Sequence, residues 1–248
     1  MGTQLFKTKG IVLRTVKYGE TSLIVTIFTE LFGIQSYLVN GVRTTTKKGT
    51  GKANLLQPAA LLDLVVYHQD NKQLQRIKEF HWDHLYEGIF SDVTKNSVAM
   101  FMIELLGKCL RQPEENTALF QFTEDCLLAL DRSEPAVRAN LSLFFALHLT
   151  YFFGVLPRVS EGEDSLYFDL VDSVIGATAP LHEQVVSGKQ AELCSELLKA
   201  RQPSELSAIK MNQELRRQLL QTMEQYYLLH IQDFSPLKTL PVLRALLS

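Results

Sequence analysis

The sequence predicts an α+β chain in which a small five-stranded β-barrel is followed by an all-helical domain. Three observations carry that expectation. Short β-branched segments fill the chain before residue 85, the hydrophobic spacing then becomes helical, and the charge changes sign along the way.

The barrel segments are Gly10 to Lys17, Ser22 to Thr29, Ile34 to Val39, Leu61 to His68 and Gln73 to Phe80. Each is of strand length. The breaks between them carry turn chemistry: Tyr18-Gly19-Glu20, Phe32-Gly33, the loop Thr44 to Asn54, and Gln69-Asp70-Asn71. Five short strands in so short a span can remove their edges only by closing, and the commonest such barrel that also binds single strands is the OB-fold.

Beyond residue 85 the spacing is that of helices. Val98, Phe101, Met102, Leu105 and Cys109 mark one face. Leu141, Phe144, Phe145, His148 and Phe152 repeat the pattern between a Ser133-Glu134-Pro135 start and a Gly154…Pro157 stop. A third helix begins after Asn212 with Leu215, Leu219, Met223 and Tyr226. The domains are therefore set at 1–84 and 85–248, joined through Leu85 to Thr94, with no internal repeat.

The 248 residues, 46% hydrophobic and 21% charged, have an ordinary globular composition that can bury a full core. The net charge of -2 hides an asymmetry. Residues 1–52 hold eight cations (Lys7, Lys9, Arg14, Lys17, Arg43, Lys47, Lys48 and Lys52) against Glu20 and Glu30, a local +6 that leaves -8 for the rest. A basic start on an acidic remainder points to a polyanion-binding module attached to something that binds none.

The loop TTTKKGTGKAN, Thr44 to Asn54, concentrates that charge. It fails as a Walker loop because Thr46 stands where the first glycine belongs and Ala53 follows Lys52. It fails as a dinucleotide fingerprint because Asn54 replaces the third glycine. What remains is a solvated connector or a clamp on a nucleic-acid backbone.

Other chemistry is sparse. Cys109, Cys126 and Cys194 form neither a C-x-x-C pair nor an even-numbered disulfide framework, which fits a reduced cytoplasmic compartment. Lys7 and Lys9 interrupt any signal core, and the apolar run Leu141 to Leu156 is broken by Ser142, His148 and Thr150, so it reads as a core helix rather than a membrane span. His81-Trp82-Asp83-His84 is too small a ligand set for a metal, and no H-E-x-x-H, G-x-S-x-G or paired-carboxylate arrangement marks an enzyme. Glu114-Glu115 reads as a solvated loop between helices.

Among the barrel aromatics Tyr18, Phe28, Phe32, Tyr37 and Tyr67, most are expected to fill the interior. Tyr37 shares a strand face with the polar Gln35 and is the ring expected to be exposed for base stacking.

The runs KTKGIVLRTVKYGETSLIVTIFTELFGIQSYLVNGVR (Lys7 to Arg43) and LLQPAALLDLVVYH (Leu55 to His68) resemble the N-terminal OB domain of the RecO family of bacterial recombination mediators. The resemblance continues through IELLGKCLRQPEENTALF, YFFGVLP and HIQDFSPLKTL, and so spans most of the chain. It implies a non-enzymatic DNA repair protein, cytoplasmic and nucleoid-associated, that binds single- and double-stranded DNA and anneals complementary strands. The implied partners are RecR and the tail of the single-strand DNA-binding protein, and the implied outcome is loading of the RecA recombinase.

One departure stands out. Many family members carry two C-x-x-C pairs after the segment matching Leu156-Pro157. Here the region reads RVSEGEDSLYFDLVDSVIGATAPLHE, without a cysteine. No zinc motif and no cofactor are therefore expected, and Leu166, Phe168 and Val171 are expected to order the loop by packing.

The expected DNA-binding residues are Lys9, Arg14, Lys17, Tyr37, Arg43, Lys47, Lys48 and Lys52. An acidic tail ending in an apolar side chain calls for a hydrophobic groove with basic residues, for which Lys108, Arg111 and Arg138 are the candidates. Two alternatives stay open: an adaptor whose barrel binds peptides rather than DNA, and a metal-dependent nucleic-acid enzyme.

Overall fold

The computed structural model describes residues 4–43, 52–70, 72–160, 164 and 166–246. They fall into two units, Met1–Tyr86 with Leu110–Leu127, and Glu87–Cys109 with Leu128–Ser248.

In the first unit β1 (Gln4–Tyr18), β2 (Ser22–Thr29), β3 (Gly33–Val39), β4 (Leu61–His68) and β5 (Leu74–Trp82) close a barrel in the order β1-β2-β3-β5-β4. It is an OB-fold barrel. Strand β1 serves two neighbours, pairing β4 from Gln4 to Ile11 and β2 from Gly10 to Tyr18, with an irregularity between Val12 and Arg14 where it turns from one to the other. Sequence alone starts this strand at Gly10, because Lys7 and Lys9 break the apolar run. They are outward residues of the same strand, alternating with the buried Thr8. Gly10 sits at the bend: a Cβ there would lie 2.6 Å from Ile27 Cγ2 and 2.7 Å from Leu64 Cδ1.

Alternate positions Val25 and Ile27, Tyr37 and Val39, and Leu62, Leu64 and Val66 fill the interior. Tyr37 is fully buried, which corrects the expectation that it stacks on bases. Gln35 is the cause of the difference. That residue is itself an inward one, 8% exposed, with its amide nitrogen donating to Phe32 O at 3.0 Å. A glutamine satisfied by a turn carbonyl is tolerated inside a barrel, so it gives no sign of an outward face.

Residues Leu110–Leu127, which the sequence places with the helical domain, belong to the barrel's unit. Phe120 is buried, with its ring centroid 5.7 Å from that of Phe28.

The second unit is built on α1 (Val93–Cys109), α3 (Pro135–Leu149), α4 (Lys189–Lys199), α5 (Gln213–His230) and α6 (Leu240–Leu246), while α2 (Thr117–Asp131) crosses the division between units at Leu127. Pro135 stands in the first turn of α3, and a 3-10 turn, Thr150–Phe153, ends at Gly154 in the left-handed region. The stretch Pro135–Phe153 is long and apolar enough to cross a membrane by length and composition. Yet α3 packs against α1, α4 and α5, and Asn140 to Leu147 are buried without a break, as in a core helix. His148 is a core histidine: Nε2 lies 3.1 Å from Leu197 O, and burial lowers its pKa. The carboxylate of Asp131 accepts the backbone N–H groups of Glu87, Gly88 and Ile89 at 2.8–2.9 Å, which holds the turn leading into α1.

One part of this unit has no counterpart in the sequence pattern. β6 (Arg158–Val159), β7 (Tyr167–Asp169), β8 (Val174–Gly176) and β9 (Val185–Ser187) make a small sheet in the order β6-β8-β7-β9, in the region without cysteines. Phe168 packs inward as expected, together with Leu170 and Ile175, whereas Leu166 and Val171 are 41% and 44% exposed and do not order it. The Phe168 ring lies 5.5 Å from that of Tyr226, whose hydroxyl is 2.6 Å from both Val155 O and Ser173 Oγ. Among the described residues no group of three or more His, Cys, Asp or Glu is placed to hold a metal ion.

Candidate nucleic-acid interface

Strand register fixes which side chains share the barrel's outer wall. Arg14 pairs with Thr26, Thr26 with Ser36, and Ser36 with Leu74, so these four form one row around β1, β2, β3 and β5. The next row runs Val16, Ile24, Leu38, Arg76 and Tyr67, and closes on Leu5 at the other end of β1. Such a wall is normally polar. Here Leu5, Val16 and Leu74 are 45%, 42% and 39% exposed, and Tyr18 at the end of β1 is 53% exposed.

Two cations, Arg14 and Arg76, stand in these rows among the apolar groups. Arg14, Lys17, Lys52, Lys72 and Arg76 are all exposed. Arg43 is held at the β1–β2 turn, where Nη1 donates to Gly19 O at 3.2 Å and its backbone N–H to Thr21 O at 3.0 Å. The outward strand acids Asp63 and Glu79 lie in neither row. Lys47 and Lys48 lie outside the described residues.

Lys9 has a different task. Its Nζ donates to Glu124 at 2.8 Å and Asp83 at 3.2 Å, and those two carboxylates hold its pKa above the usual lysine value although partial burial opposes them. This removes Lys9 from the cations free to meet a ligand. Lys9→Ala is expected to destabilise the protein by about 1–2 kcal/mol, less than for a fully buried pair because Lys9 is partly exposed. Chemical denaturation measures that loss. A DNA titration on the same variant should show an unchanged salt slope, and a flattened slope would return Lys9 to the interface.

The expected tail-binding residues are also engaged. Lys108 Nζ donates to Ser235 O, Ser235 Oγ and Pro236 O at 2.6–3.0 Å, which fills its three donors with its own chain. Arg138 Nη1 donates to Asp92 Oδ2 at 2.8 Å. Arg111 belongs to the barrel's unit, where it lines a cleft of about 560 Å³ together with Thr26, Phe32, Ser36, His68 and Lys72. In that cleft His68 stacks on Phe32 with ring centroids 3.9 Å apart.

Sequence reasoning missed Lys72 and Arg76. The alternation Leu74-Gln75-Arg76, in which Gln75 is 3% exposed and the other two point outward, was the available signal.

Residues 1–86 match the family model described as Recombination protein O N terminal, and residues 91–241 match Recombination protein O C terminal. The chain belongs to the RecO family. Curated relatives include the DNA repair protein RecO of Bacteroides fragilis, 34% identical over 98% of this chain and 99% of the relative. That of Phocaeicola vulgatus is 32% identical over 98% and 100%, and that of Christiangramia forsetii 31% over 96% and 98%. The chain is thus a RecO family DNA repair protein, with the family's N-terminal match on the barrel and its C-terminal match on the helices.

Proposed function

We propose that the barrel's outer wall binds DNA, single strands above all, without sequence preference, and that the protein uses this wall to anneal complementary strands during recombinational repair. The observation that carries this reading is the pair of adjoining rows in which Arg14 and Arg76 stand among the exposed Leu5, Val16 and Leu74 and the ring of Tyr67, with two further exposed cations, Lys17 near the end of β1 and Lys72 just before β5. Cations displace counterions from phosphates, and this gives affinity that every sequence shares. Apolar and ring surfaces accept the faces of unpaired bases, which a duplex hides. Two strands neutralised on one wall repel each other less, so their bases can search for complements without fuel. No catalytic step is required.

By the family relationship, RecR and the acidic tail of the single-strand DNA-binding protein are the proposed partners, RecA loading is the proposed outcome, and the cytoplasm is the proposed location. The helical unit is the proposed site of partner docking, separate from the DNA-binding unit.

The test is a titration of unrelated single strands and one duplex at several salt concentrations. Affinities that agree among the single strands and fall steeply with salt support the reading. Failure to retain any DNA at low salt overturns it and favours a peptide-binding adaptor, because the exposed Leu5, Val16 and Leu74 would then be protein-docking groups.

A further inference from the structure

We infer that Tyr67, Lys72 and Arg76 form a slot for one unpaired nucleotide, with the base against Tyr67 and Leu74 and the flanking phosphates on the two cations. The inference rests on the DNA-binding reading above and gives it a position and a chemistry.

Tyr67 on β4 and Arg76 on β5 are direct cross-strand partners. Beside them opens a pocket of about 470 Å³ lined by Tyr67, Gln69, Lys72, Leu74, Gln75 and Arg76. That volume lies in the range of small-ligand sites. The lining contains two cations and no carboxylate, whereas the neighbouring cleft mixes Lys72 and Arg111 with Asp70 and Glu115. The slot therefore favours an anion, and the ring and Leu74 favour an anion with an apolar face. A nucleotide has both.

The slot is also built in advance. Gln75, buried beneath the β4–β5 turn, donates Nε2 to Gln69 O at 2.7 Å and Lys72 O at 2.9 Å, and its Oε1 accepts Gln69 N at 3.2 Å. These three bonds hold the backbone of Gln69 and of Lys72 in place, so those two residues have little order left to gain on binding.

A base can enter only when it is unpaired and unstacked. The slot thus distinguishes single strands from duplex, and pairing withdraws the base and weakens the hold on the annealed product.

The test uses the full chain with a single strand carrying 2-aminopurine, the same strand with abasic positions, and a duplex. Tyr67→Ala should weaken single-strand binding about tenfold and diminish the fluorescence change, while Tyr67→Phe keeps both. Duplex affinity, the salt slope and binding of the abasic strand should stay the same in both variants. Unchanged single-strand affinity in Tyr67→Ala overturns the slot, and so does an equal loss on the abasic strand. A wild type that binds no DNA is a separate result, seen before any variant is made, and it removes the reading of the whole wall.

Discussion

Gly33→Ala is expected to destabilise the first unit by about 3–5 kcal/mol. Gly33 opens β3 at φ 60°, in the left-handed region, and a Cβ there would lie 2.1 Å from Glu114 O and 2.8 Å from Glu114 N. The obstacle is backbone, so no side chain can swing aside. Either the β2–β3 turn or the segment around Glu114 must move, and the turn is tied by Thr29, whose Oγ1 donates to Gly33 O and accepts Phe32 N–H. Gly19 provides the control. It has φ 58° but nothing within 4 Å of its Cβ position, so Gly19→Ala carries only the conformational cost of about 1–2 kcal/mol. Denaturant midpoints of the two variants separate the effects. Equal losses would mean that the approach of Glu114 to Gly33 is not what requires the glycine.

Replacing Arg14, Lys17, Lys72 and Arg76 together by Ala should reduce the log-log salt slope of single-strand binding by about 3, at roughly 0.7 for each phosphate no longer neutralised. All four side chains are exposed, so the fold should tolerate the change within about 0.5 kcal/mol per site. The weakening should be equal for unrelated sequences, because phosphates carry no sequence information. Lys108→Ala, in contrast, should leave the slope unchanged, since its donors are filled by Ser235 and Pro236. A slope that responds to Lys108 and not to the four wall residues would move the interface to the helical unit.

The elements that were legible in sequence are those with a sustained period. Ser22–Thr29 and Leu61–His68 coincide with the expected strands, and the face Val98, Phe101, Met102, Leu105 and Cys109 is buried as its spacing requires. The helix after Asn212 begins there because the Asn212 side chain accepts Leu215 N–H at 2.8 Å. The elements that were missed have no period to read. Strands of two or three residues, such as Arg158–Val159 and Tyr167–Asp169, are too short for alternation to show, and they exist because Phe168 and Ile175 find a core to enter.

The candidate site was suggested by charge and was illegible as geometry. An excess of lysine and arginine in residues 1–52 pointed to the barrel, but it could not separate Arg14, on the open wall, from Lys9, bound to Glu124 and Asp83 far along the chain. Nor could composition show that Gln35 and Gln75 both face inward, each satisfied by backbone carbonyls of an adjacent turn. Those two inward amides reverse the assignment of the rings: Tyr37, beside Gln35, is interior, and Tyr67, across from Arg76, is on the wall.

Photo-cross-linking locates the DNA without relying on any variant. A single strand carrying 5-iodouridine at several positions would be irradiated on the full chain, and the attached peptides identified by mass spectrometry. Attachment at Tyr18 and Tyr67, on peptides from the outer wall of the barrel, is the expected result. Attachment confined to residues 128–248, with none on the barrel strands, would contradict the assignment of the DNA interface to that wall.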